Sequence, residues 1–229
     1  MQTAVIRFPG TNRENDVVMA LQRATGRPPR IIWHKDASLP EVDLIVLPGG
    51  FSYGDHLRAG AMAAHSPVMK EVVRQAERGV AILGICNGFQ ILTEAGLLPG
   101  ALLRNAGLKF VCRDVHLRIE TSGSVFTEGY NAGQLIRVPV AHHDGCYYAD
   151  DELLGRLRDE DRIAFRYCSN GGGVDERSNP NGSRDEIAGI LSASRRILGM
   201  MPHPENATEP LQGSTDGCGL FDGLTRALH

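Results

Sequence analysis

The sequence predicts an α/β fold: a mostly parallel central sheet flanked by helices, with a smaller antiparallel section. Three observations predict it. Short apolar runs alternate with helix-length stretches through the first half, the pattern of a parallel sheet covered on both faces. Turn residues close the strands, with Pro9-Gly10 after the first and Pro48-Gly49-Gly50 after the third. The middle loses this alternation, and residues 109–120 and 134–141 read as strands of an added or antiparallel section.

The elements follow in chain order. A strand spans about residues 3–8, and a helix runs through Val17, Met19-Ala20-Leu21 and Ala24, with Gly26 as its stop. Ile31-Ile32-Trp33 and Val42-Asp43-Leu44-Ile45-Val46-Leu47 are further strands. Ser66-Pro67 opens a helix, Ser66 as cap and Pro67 in the first turn, that ends at Gly79. A buried strand over residues 80–85 leads into Cys86, and Phe89-Gln90-Ile91-Leu92-Thr93-Glu94 continues as a helix. Asn170-Gly171-Gly172-Gly173 and Ser178-Asn179-Pro180-Asn181-Gly182 are loops or hairpin turns. Arg196-Ile197-Leu198-Gly199-Met200-Met201 is a late strand, and residues 217–228 form a terminal helix. With no repeat or long linker, residues 1–229 read as a single domain.

Composition narrows the function classes. The 24 Lys and Arg against 27 Asp and Glu, without a basic cluster, argue against nucleic acid as a partner. No apolar run approaches the ~20 residues that a membrane-spanning helix needs. The N-terminus lacks the charged and apolar regions of a signal peptide. Five scattered cysteines fit reduced thiols in a cytoplasm better than a disulfide framework. Cys112 and His116 form the only close Cys/His pair, and without a second pair nearby no metal is expected.

Chemistry concentrates at Gly84-Ile85-Cys86-Asn87-Gly88, between a strand and a helix. This is the pattern of a nucleophile elbow carrying sulfur in place of oxygen. The glycines allow a tight turn, and the positive end of the following helix favours thiolate. A buried structural cysteine is the plainer reading, and the strand-to-helix position argues against it. A nucleophilic cysteine needs a base, and the base an orienting group. His203, just past a strand in Met201-Pro202-His203-Pro204-Glu205, is the best of eight histidines for the base, with Glu205 as its orienting group. The backbone N–H of Asn87 and an N–H from Pro48-Gly49-Gly50-Phe51 are the natural oxyanion donors. Gly171-Gly172-Gly173 lacks the Lys and the following helix of a phosphate loop. Arg104, Lys109, Arg113 and Arg118 read as a solvated face, with a docking surface as the sharper alternative.

Taken together, the Pro-Gly-Gly turn, the Gly84–Gln90 elbow and the His203-Pro204-Glu205 element resemble class I, triad-type glutamine amidotransferases. Phe8-Pro9-Gly10-Thr11-Asn12, Gly49–Asp55, Leu57–Ala61, Gly96–Leu102 and Asn179-Pro180-Asn181-Gly182-Ser183 narrow the resemblance. They are similar to the glutaminase-subunit family of phosphoribosylformylglycinamidine synthase, nearly end to end. The resemblance implies that Cys86 attacks the side-chain amide of glutamine, with His203 and Glu205 completing the triad. It implies Gly50 and Asn87 as oxyanion donors and Gln90 near the substrate. It implies ammonia delivery to a synthetase subunit, across which a small third subunit can bridge. That synthetase converts formylglycinamide ribonucleotide to formylglycinamidine ribonucleotide in purine synthesis. ATP and magnesium would sit on the synthetase and no cofactor on this chain. Two departures stand out: His143-Asp144-Gly145-Cys146 replaces the family's Gly-Glu-Gly-Arg-like run, and Asn206 stands where Arg is expected. His142 and His143 are taken as loop residues near the site. The alternatives are an amidotransferase of another biosynthetic pathway, a small cysteine amidase or peptidase on this fold, and a non-catalytic module.

Overall fold

The computed structural model describes residues 1–175 and 177–228, and nine of its strands share one sheet. The first half builds the parallel part. Strand β1 (Thr3–Arg7) leads through helix α1 (Glu14–Thr25) to β2 (Arg30–Trp33) and then β3 (Leu44–Leu47). Helix α1 stops at Gly26, which adopts the left-handed conformation that glycine takes without strain. Val42 and Asp43 fall outside β3, because Asp43 is tied to Gln2 through both its backbone and its carboxylate before the ladder begins. Short helix α2 (Ala61–Ala64) and helix α3 (Pro67–Glu77) precede β4 (Ala81–Ile85), which runs straight into α4 (Asn87–Glu94).

Ser66 occupies the cap position of α3 but does not cap it. Its hydroxyl lies 2.9 Å from the Tyr53 hydroxyl, and the helix start rests on Pro67 and on Val68 N, which donates to His34 O at 3.2 Å.

The second half adds β5 (Ala101–Leu103), β6 (Val111–Ile119), β7 (Leu135–His142), β8 (Cys146–Tyr148), α5 (Asp151–Asp159), β9 (Ile163–Cys168), β10 (Ile187–Leu191), β11 (Ile197–Met200) and α6 (Cys218–Ala227). The sheet order is β2-β1-β3-β4-β11-β10-β9-β6-β7. From β2 to β11 neighbours are parallel, and from β11 to β7 they alternate. The antiparallel section therefore continues the main sheet. Among the described residues, β5 and β8 pair apart from it. Strands β3, β4 and β11 are buried throughout, as fits the middle of a sheet covered on both faces.

Three neighbouring parallel strands set the site. Leu47 of β3 pairs with Gly84 of β4, and Ile85 pairs with Met200 of β11. The segments that follow these strands therefore emerge side by side at their carboxyl ends, where open α/β sheets collect ligands. Helix α4 lies close over β3: a Cβ at Gly88 would fall 1.9 Å from the Leu47 carbonyl oxygen.

Candidate active site

Cys86 occupies the corner between β4 and α4, with φ 51° and ψ −106°. A non-glycine residue there is strained, and such strain clusters at functional sites. Its sulfur lies 3.8 Å from the Ala141 carbonyl oxygen at the end of β7. The β7 edge thus curls back over the parallel strands, and the His203 backbone N–H donates to Pro139 O of the same strand. Pro139 has no N–H of its own and suits such an edge.

His203 and Glu205 are both almost fully buried, and His203 Nδ1 lies 2.7 Å from Glu205 Oε1. Burial disfavours the imidazolium, but the charges of Glu205 and of the Cys86 sulfur outweigh it and hold His203 up at about 10. His203 Nε2 and Glu205 Oε2 are buried and take no hydrogen bond among the described residues. The tip of His203 is thus uncommitted beside the sulfur. Glycine makes the approach possible: a Cβ at Gly49 would fall 2.7 Å from His203 Cε1 and 3.4 Å from Cys86 Cβ. Gly50 has φ 153°, and a Cβ there would meet Gly10 O at 2.5 Å.

Cys86, His203 and Gly50 line a cavity of about 150 Å³, together with Asn12, Arg13, Asp55, Gln90, His142 and Asp144. Gly50 and Cys86 share that wall, and Asn87 begins the helix whose first N–H groups have no intrahelical acceptor. Side chains tie the walls together. Asn87 Oδ1 accepts from Ser52 N at 3.1 Å, and its Nδ2 donates to Gln90 Oε1 at 2.8 Å. Gln90 Nε2 donates in turn to Asp144 O at 2.6 Å. The predicted substrate residue Gln90 is therefore at the cavity, with its amide committed to the walls. Burial, followed by the charge of Asp144, raises Asp55 to about 6.

One placement differs from expectation. His142 is the last residue of β7 and is buried, so it is a strand residue in the cavity wall. Of the middle cations, Arg104, Lys109 and Arg113 are exposed, as a solvated face requires; Arg104 meets Asp144, Arg113 donates to Arg177 O, and Arg118 meets Glu120. Gly171–Gly173 form a turn closed by Ser169 N to Gly173 O at 2.7 Å. Among the described residues, no three His, Cys, Asp or Glu side chains group to hold a metal ion, and no helix is long and apolar enough to cross a membrane.

An elbow cysteine and a buried histidine paired with a carboxylate thus meet at one end of a half-parallel sheet, an arrangement suited to nucleophilic acyl transfer. The family model of the CobB/CobQ-like glutamine amidotransferase domain matches residues 1–217, and the chain belongs to that family. It is 61% identical over 229 residues to the phosphoribosylformylglycinamidine synthase subunit PurQ of Rhodospirillum rubrum, covering all of both chains. It is 57% identical over 230 residues to the same subunit of Bradyrhizobium diazoefficiens, covering 100% of this chain and 99% of the relative. Among solved structures, a chain of PurLQS from Thermotoga maritima superposes with a TM-score of 0.88 at 41% identity, over 100% of this chain and 99% of that one. The glutaminase domain of CTPS from Trypanosoma brucei shares the fold, with a TM-score of 0.59 at 14% identity over 100% and 95% of the chains.

Proposed function

We propose that this chain is the glutaminase subunit of phosphoribosylformylglycinamidine synthase and that Cys86, His203 and Glu205 carry its chemistry. One observation carries the catalytic assignment. A strained cysteine at a helix N-terminus shares a cavity with a buried histidine, 2.7 Å from a buried carboxylate.

The geometry divides the reaction. The Cys86 sulfur attacks the side-chain amide carbon of glutamine, forming a tetrahedral intermediate. Its oxyanion accepts hydrogen bonds from the backbone N–H groups of Gly50 and Asn87. Protonated His203 gives its proton to the amide nitrogen, the C–N bond breaks, and ammonia leaves a thioester on Cys86. Neutral His203 then takes a proton from water as the water attacks the thioester, releasing glutamate and freeing the Cys86 sulfur beside a protonated His203. Glu205 holds the imidazole by Nδ1 so that Nε2 faces the reacting atoms. Gln90 shapes the pocket by tying α4 to the backbone at Asp144.

The ammonia serves a synthetase subunit that converts formylglycinamide ribonucleotide to formylglycinamidine ribonucleotide in purine synthesis. The full-length likeness to PurQ chains, one of them from PurLQS, supports that partner and a third subunit. We place ATP and its magnesium on the synthetase. A cytoplasmic setting suits five cysteines that are all free.

The test is glutamate release from glutamine by the purified chain, with and without the synthetase and formylglycinamide ribonucleotide. A sharp rise with the partner is expected. No release in either case, from a folded chain, overturns the proposal.

A further inference from the structure

The Asn179–Ser183 loop stands out in the sequence, yet the triad does not use it. Its central residue, Asn181, is 1% exposed. Asn181 Oδ1 accepts from Ser183 N at 3.0 Å and from Ser183 Oγ at 2.7 Å. Asn181 Nδ2 donates to Gly145 O at 2.8 Å, lies 3.0 Å from His142 Nε2, and lies 3.3 Å from the Tyr167 hydroxyl. A backbone N–H can only donate and a carbonyl can only accept, so Ser183 N and Gly145 O together fix which end of the amide is which. The NH₂ end faces His142. His142 Nε2 must then present a lone pair, and its proton resides on Nδ1.

That Nδ1 is buried and has no partner among the described residues. A buried donor left unpaired costs free energy, and a native structure that keeps one calls for an explanation. The ring lines the same cavity as Cys86 and His203. Its Nε2 edge is turned to Gly145, where a Cβ would fall 2.3 Å from Nε2. The Nδ1 edge is thus the one left over.

We propose that Asn181 is a positioning residue that fixes His142 as the neutral Nδ1–H tautomer, so that His142 offers bound glutamine an uncharged hydrogen-bond donor beside His203. This rests on the glutaminase reading. Glutamine presents acceptor oxygens at its α-carboxylate and its side-chain carbonyl, and a donor is what the unpartnered edge supplies. A charged donor would oppose the imidazolium at His203, the ionisable neighbour that acts on His142 together with burial. Both effects keep His142 neutral, with its titration pushed down to about 3.

The tautomer can be read without turnover, by long-range ¹H–¹⁵N NMR of histidine-labelled chain between pH 5 and 8. The expected pattern is a neutral, Nδ1-protonated His142 throughout. An Nε2-protonated or titrating His142 overturns the proposal. Its consequence is read in the complex with the synthetase. Asn181→Asp keeps the shape but demands a proton on Nε2, and His142→Leu removes the donor. Each should lower kcat/KM for glutamine at least about tenfold, through KM. His142→Asn, whose amide can donate from near the Nδ1 position, should stay within about threefold of wild type. Wild-type kinetics in His142→Leu, or equal losses in His142→Leu and His142→Asn, overturn the role even if Asn181→Asp fails to fold. A wild-type complex that releases no glutamate would instead sink the glutaminase reading and leave the tautomer result standing.

Discussion

At Cys86 the backbone holds a conformation that side chains rarely adopt, and the residue beside the sulfur is a histidine kept positive against its burial. The chief source of that positive charge is Glu205. Glu205→Gln keeps a hydrogen-bond acceptor near Nδ1 but removes the anion, so burial dominates and His203 titrates well below about 10. The general acid is then lost at neutral pH. We expect kcat/KM for glutamine to fall on the order of 10³–10⁴, with His203 titrating in the acidic range by NMR. An unshifted titration with intact activity would make Glu205 structural. Cys86, His203 and Glu205 were legible in the sequence because a nucleophile elbow and a proline-flanked histidine are local patterns. The contacts of His142, Asn181 and Gln90 were not, because each depends on a partner in a distant segment: His142 on Asn181, Gln90 on Asp144. Ser66 misled for a similar reason, since Tyr53 claims the hydroxyl that a local rule assigns to the helix.

Among the elements, α4 carries the tightest constraint. Gly88 packs its bare Cα against the backbone of β3, and a Cβ there would fall 1.9 Å from Leu47 O. Neither element can yield easily, because β3 and β4 are both buried in the sheet. Gly88→Ala should therefore destabilise the fold by about 1–3 kcal/mol, although alanine is the better helix former. Denaturant unfolding checks this, and a stabilised variant would mean that α4 can lift from the sheet. The alternating half of the fold was legible through its period, while β9, β10, α5 and the β5–β8 pair went unread. Strands β5 and β8 have three residues each, too few to show a period. Strand β10 contains Gly189 and irregular pairing with β9, which blur the strand pattern. Helix α5 did carry a local signal. Asp150 caps Leu153 N at 2.8 Å, acidic residues fill the first turn, and basic residues fill the last.

For the whole molecule, the buried histidines make stability depend on pH from both sides. His203 has a raised value, so its contribution is full below its ordinary 6.5 and is lost as pH rises through about 10. His142 has a lowered value, so the folded state loses ground as pH falls from 6.5 toward about 3, where only the unfolded chain takes up the proton. His142→Asn should therefore flatten the acid limb of a Tm-against-pH curve relative to wild type, and parallel curves would show that His142 is not held neutral. The assembled enzyme permits a sharper division. If the chain's task is only to make ammonia, a complex carrying Cys86→Ala has lost the source and not the consumer. Glutamine-dependent synthesis of formylglycinamidine ribonucleotide should fall by at least about 10³. Synthesis from added ammonium salt should persist near the wild-type rate, and more readily at alkaline pH, where more of the ammonia is unprotonated and nucleophilic. Persisting glutamine use would place the nucleophile elsewhere. Loss of both activities, with the complex intact by size-exclusion chromatography, would mean that the cysteine supports the synthetase site itself and that the two reactions are not separable along the line drawn by the cavity around Cys86.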